Sequence, residues 1–142
     1  MGMFDKLFGS DADYPPLPAD NDARARLDAM KAPLEELAEK VNDHLEVVPA
    51  DHEAYVYLGK PPKRFGIAWI HDGKLDGLRE LVDEYNLSQA DTQKMIGALT
   101  TAYEHASDAP RYSAELAGKK VVVIPSRELG QEVHEIMESA TH

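Results

Sequence analysis

The chain contains no cysteine. That absence removes thiol catalysis, zinc knuckles and iron–sulfur clusters, each of which needs a thiolate as nucleophile or ligand. Disulfides hold nothing together here, so stability must come from a hydrophobic core. With 142 residues, the chain is long enough to bury roughly two-thirds of its unfolded surface in one domain. Long apolar runs are missing as well. No stretch approaches the ~20 residues that a membrane-spanning helix requires, so no transmembrane segment is expected. No segment combines a charged start, an apolar centre and a small-residue cleavage site, and the expected location is therefore the cytoplasm.

Positive charge is scarce. The chain has 15 Lys and Arg against 26 Asp and Glu, a formal net charge of −11. Such a surface repels phosphate backbones, so nucleic acid is not an expected partner. The basic residues gather in only two short runs, Lys60-Pro-Pro-Lys63-Arg64 and Lys119-Lys120.

Residues 1–9, MGMFDKLFG, form an amphipathic hook in which Phe4, Leu7 and Phe8 share one face. As a helix it would be only ~13 Å long, too short to stand alone in water. SDADYPPLPAD follows, Pro-rich and acidic, and reads as an extended linker. The expected organisation is a hook and linker over 1–18 and a single domain over 19–142.

Residues 20–48 carry the strongest helical pattern. Leu27, Met30, Leu34, Leu37, Val41, His44 and Val48 alternate steps of three and four, the spacing of one helix stripe. Asp20 or Asn21 can cap its start, and Pro33 implies a kink or a restart. After Pro49 the period changes. AYVYLG (54–59) and RFGIAWIH (64–71) are aromatic and β-branched and read as a hairpin. Leu75, Leu78, Leu81, Val82 and Tyr85 suggest a helix opened by Asp72 as its cap, and Ser88 with Asp91 suggests a capping box for a second. RYSAEL (111–116) and KKVVVIP (119–125) make another hairpin around Ala117-Gly118, and Ser126 caps a last helix. The expected fold class is α+β: an antiparallel sheet of about four strands from two hairpins, helices mainly on one face, in the order α-ββ-αα-ββ-α.

Chemistry-bearing residues are sparse. His71-Asp72 at a strand end offers an acid–base histidine with an adjacent carboxylate, but no glycine-framed serine accompanies it. His134 and Glu138 lie one helical turn apart, an incomplete metal pair. Lys60, Lys63, Arg64, Lys119 and Lys120 can attract an anion or protect sheet edges. Tyr55, Tyr57, Trp69 and Tyr112 suggest an aromatic sheet face which, with helices on the other side only, would need a cover.

These features lead to a small acidic protein-interaction module, without catalysis or cofactor, that forms a homodimer. Its expected contacts are the aromatic face and the hook residues Phe4, Leu7 and Phe8. One alternative is an enzyme or receptor for a small anionic ligand that uses His71, Asp72 and the basic turns. A second is a metal-binding protein that uses His134 and Glu138.

Overall fold

Where the stripe of residues 20–48 predicts helix throughout, the backbone divides into three elements. The computed structural model describes residues 14–141. Helix α1 (Asp22–Ala29) is capped by Asn21, whose Oδ1 accepts the Ala23 N–H at 2.9 Å. Helix α2 (Lys31–Lys40) restarts at once, with Pro33 in its first turn, where a missing N–H is not needed. The last part of the stripe is a strand, β1 (Leu45–Ala50). The single helix over 20–48 is thereby corrected. The reason is that β1 is buried on both faces: Leu45 and Val47 enter one core cluster and Val48 the other. Such a strand carries apolar residues on both faces and shows no clean polar alternation, so Val41, His44 and Val48 fell on a helical spacing by coincidence.

The hairpin of β2 (Glu53–Lys60) and β3 (Arg64–His71) is present, in register from Glu53 opposite His71 to Lys60 opposite Arg64. A second correction follows it. Asp72 does not cap a helix. Asp72 (φ 51°) and Gly73 (φ 73°) both lie in the left-handed region and form a two-residue turn into β4 (Lys74–Gly77). Asp-Gly between two strands is the strongest local hairpin signal, because both residues tolerate positive φ. Helix α3 (Leu78–Tyr85) starts only after Gly77, whose N–H is accepted by Glu80 at 2.8 Å. Helix α4 (Gln89–His105) opens on the expected Ser88–Asp91 capping box. Strands β5 (Tyr112–Leu116) and β6 (Lys119–Val123) turn at Ala117-Gly118, and Ser126 caps α5 (Arg127–Ala140) through the Leu129 N–H.

Six strands form one mixed sheet in the order β4-β3-β2-β1-β6-β5. Adjacent pairs are antiparallel except β1 with β6, which run parallel. The four-stranded antiparallel sheet and its element order are thus replaced by an α+β fold with five helices among the described residues. Helices also cover both faces. Tyr55, Tyr57, Ile67 and Trp69 pack with Leu81, Met95, Leu99, Val133 and Met137 of α3, α4 and α5. Val47, Val56, Ala68 and Ile70 pack with Leu27, Leu34 and Leu37 of α1 and α2. No helix among the described residues is long and apolar enough to cross a membrane.

The linker residues within the described range lie along the edge strand β5. The Leu17 N–H donates to the Ser113 carbonyl at 2.9 Å, the Ser113 N–H donates to the Pro15 carbonyl at 2.8 Å, and Leu17 is buried. Paired in this way, β5 offers fewer free backbone groups to another strand. Phe4, Leu7 and Phe8 lie outside the described residues.

Candidate functional site

The parallel pair fixes where the polar residues converge. Chain direction places the ends of β1 and β6 together, and the turn from β6 into α5 lies beside the Asp51-His52 turn from β1 into β2. There a cleft of about 740 Å³ opens, lined among others by Arg26, Asp51, Glu53, Arg127, Gln131 and His134. Ligands of open α/β sheets gather at the carboxyl ends of their strands, and this cleft has that placement.

Glu53 is the first residue of β2, on the same sheet face as Tyr55 and Tyr57 by strand alternation. Trp69 sits opposite Tyr55 on β3. Its Nε1–H donates to Glu53 Oε1 at 2.8 Å, and the Tyr55 hydroxyl donates to the same oxygen at 3.1 Å. The other oxygen, Oε2, is 3.1 Å from His134 Nδ1 on α5, which is also 3.0 Å from the Tyr55 hydroxyl. The tautomer follows from the partners. Glu53 can only accept, so the arrangement in which Nδ1–H faces Glu53 and the Tyr55 hydroxyl, with Tyr55 donating to Glu53, leaves each of these groups with a matching partner. Nε2 is the nitrogen left with no hydrogen bond among the described residues.

Two physical effects keep this arrangement intact. Burial, reinforced by the charge of Glu53, pushes the Tyr55 hydroxyl far above its ordinary value, so it remains a donor. Glu53 is itself partly shielded, with a side chain 20 % exposed, while His134 is 38 % exposed. The result is a histidine oriented by a carboxylate, which two buried donors hold in turn. Such an arrangement leaves one imidazole nitrogen available to take or give a proton.

Arginines occupy the other side of the cleft. Arg127 donates to Asp22 Oδ2 at 2.9 Å and lies 3.8 Å from Asp51. Arg127, and less strongly Arg26, hold the Asp22 carboxyl below its ordinary value. Arg26 is 8 % exposed, and none of its three guanidinium nitrogens makes a hydrogen bond among the described residues.

The residues singled out from sequence fall in several places. His71 Nε2 is 3.0 Å from Asp76, a buried carboxylate on β4, whereas Asp72 is exposed and 3.6 Å from Nδ1. The His71 ring stacks on Trp69 with centroids 3.7 Å apart. Its closest carboxylate is therefore Asp76, a pairing created by the β3–β4 turn. Tyr55, Tyr57 and Trp69 are buried beneath helices, and Tyr112 is half-buried against the opposite core. Lys60, Lys63, Arg64 and Lys120 lie along the surface, and Lys119 Nζ donates to the carbonyls of Val41 and Asp43 beyond α2. Because β1 is antiparallel to β2 and parallel to β6, both basic turns sit at the sheet end opposite the cleft. The carboxylate at hydrogen-bond distance from His134 Nδ1 is that of Glu53, on the sheet beneath its helix, whereas sequence spacing pointed to Glu138. No group of three or more His, Asp or Glu among the described residues is arranged to hold a metal ion.

Sequence reading missed Glu53 and Arg26. Glu53 was within reach, since extending the hairpin register by one residue sets it opposite His71 and beside Trp69. Arg26 lies at a polar-looking helix position, and nothing local signals its burial. The molecule is thus defined as a small α+β protein with a polar cleft built on a carboxylate–histidine pair. Comparison of the chain with models of protein families, with curated proteins and with solved structures finds no match.

Proposed function

We propose that the protein binds a small polar ligand in the cleft and exchanges a proton with it through His134. The observation that carries this reading is the Glu53–His134 pair. Glu53 is fixed by Trp69 and Tyr55, and among the described residues the pair leaves Nε2 unengaged on a side chain that lines an open cleft. His71, by contrast, has its Nε2 held by the buried Asp76 and its ring stacked on Trp69. The alternative of a small-ligand site is therefore retained in modified form: the acid–base residue becomes His134, and the orienting carboxylate becomes Glu53. The expectation of self-association through the aromatic face loses its motive, because that face is covered within the chain by α3, α4 and α5.

The test starts with a fragment screen of small carboxylic acids, amines and polyols, followed through the backbone amides of Glu53, Gln131 and His134. Fragments that perturb these amides saturably are then titrated calorimetrically in two buffers of different ionisation enthalpy. The expected result is a binding enthalpy that depends on the buffer, with the dependence lost in His134→Asn. Hits mapping only elsewhere would overturn the site. Cleft binding with the same enthalpy in both buffers would overturn proton exchange.

A further inference from the structure

The Arg26 side chain is difficult to explain as part of the fold alone. It comes from the middle of α1 and is 8 % exposed, yet Nε, Nη1 and Nη2 each lack a hydrogen bond among the described residues. A guanidinium keeps its charge in proteins, so burial leaves a charge that needs a partner. Buried charged groups elsewhere in proteins are paired and hydrogen-bonded, and an exception calls for a partner. Here the nearest carboxylate is Asp22, and its Oδ2 is 3.6 Å from Nη1, outside hydrogen-bond reach. That same oxygen accepts from Arg127 Nη2 at 2.9 Å. Asp22 is 68 % exposed and lies in the first turn of α1. One carboxylate oxygen therefore already occupies the space between two guanidinium groups, poorly matched to the buried one.

We propose that Arg26 and Arg127 form an oxyanion subsite of the cleft, and that a ligand carboxylate or phosphate takes the position Asp22 now holds. The forked donors of a guanidinium match the two oxygens of such a group, which Asp22, tethered at 3.6 Å, does not achieve. The rest of the lining limits what carries the oxyanion. Asp51, Glu53, Glu128, Glu132 and Glu135 face the same cleft, so a multiply anionic body is repelled. The fitting ligand has one oxyanion on an uncharged or cationic body, the chemistry of a simple zwitterion. This inference rests on the cleft being a ligand site and specifies the class of ligand.

The test uses the full chain labelled with nitrogen-15, at constant ionic strength, titrated separately with glycine, acetate and inorganic phosphate. The readouts are the Arg26 Nε–H signal and the amides of Ala23 and Arg127. Saturable shifts with glycine, weaker ones with acetate and the weakest with phosphate are expected. Asp22→Asn removes the resident competitor and should tighten glycine binding about threefold, the worth of an exposed ion pair. Arg26→Met should abolish the effect. Shifts equal to those from sodium chloride, or an Asp22→Asn variant that binds no tighter, would overturn the subsite. The two readings fail separately. Ligands that engage His134 equally well in Arg26→Met would sink the subsite alone, and glycine binding at Arg26 without proton exchange would sink the acid–base reading alone.

Discussion

At the scale of single residues, the informative feature is which side chain satisfies which. Glu53 holds its two oxygens in different environments, one taking Trp69 and Tyr55 and the other facing His134. A specific tautomer follows. Neutral His134 carries its proton on Nδ1, whereas a free imidazole side chain prefers Nε2. Nitrogen-15 shifts of the ring should show the Nδ1–H form in the native chain and a move toward Nε2–H in Glu53→Gln, whose amide can donate to Nδ1. A native ring already in the Nε2–H form would sink the assignment. None of this pairing was legible in the sequence, because Tyr55 and His134 are 79 residues apart and only the packing of α5 over β2 joins them. The histidine itself was visible, but Glu138, one helical turn away, looked the nearer partner. Local spacing identifies a helix face and says nothing about the sheet lying beneath it.

At the scale of elements, turn and cap chemistry carried most of the legible information. Asn21, Ser88 and Ser126 cap the helices as their positions imply. Replacing Ser126 by Ala should cost about 1 kcal/mol, the usual worth of an N-cap, read from the denaturant midpoint. The β2–β3 and β5–β6 hairpins were also legible, since their strands are β-branched or aromatic and their turns carry Pro or Gly. What failed was discrimination among signals of equal local plausibility. Asp72-Gly73 suits a helix entrance as well as a tight hairpin, and the choice depends on whether Lys74–Gly77 finds β3 to pair with. The turn reading has a measurable consequence. Gly73 sits at φ 73°, and no atom lies within 4 Å of the place a Cβ would take, so Gly73→Ala introduces backbone strain without a clash. A loss of ~1 kcal/mol or somewhat more is expected, from the left-handed conformation alone. An unchanged unfolding midpoint would mean that the turn does not hold this conformation in solution. β1 failed for a different reason. A strand covered on both faces has no polar alternation to reveal it, and the second layer of helices that covers it is a property of the whole fold.

At the scale of the molecule, the sheet separates two cores, and one of them contains tyrosines with unusual titration. Tyr55 and Tyr57 are fully buried beneath α4 and α5, and burial raises both hydroxyls well above the ordinary value of 10.0. Nearby acidic residues add to this, Glu53 for Tyr55 and Glu132 for Tyr57. In the unfolded chain each tyrosine loses its proton at about pH 10. Above that pH the folded state binds the additional protons, so stability is fully present below about pH 10 and falls as pH rises. Each buried tyrosine contributes a slope of about 1.4 kcal/mol per pH unit, so the pair contributes roughly 3. A domain with ~5 kcal/mol of stability would reach its midpoint at about pH 12 from these two groups alone. The acidic surface works in the same direction, since deprotonating Lys residues removes the scarce positive charge that offsets a net −11. Alkaline titration followed by circular dichroism and by tyrosinate absorbance should therefore show the two buried hydroxyls ionising only as the helices melt. In Tyr57→Phe the slope of stability against pH above 10 should be shallower by about one proton's worth, ~1.4 kcal/mol per unit. Complete tyrosinate formation with helicity intact would show that solvent reaches the face beneath α4 and α5. The same opening would dissolve the Tyr55–Glu53 contact on which His134 depends, so one titration examines the core and the cleft together.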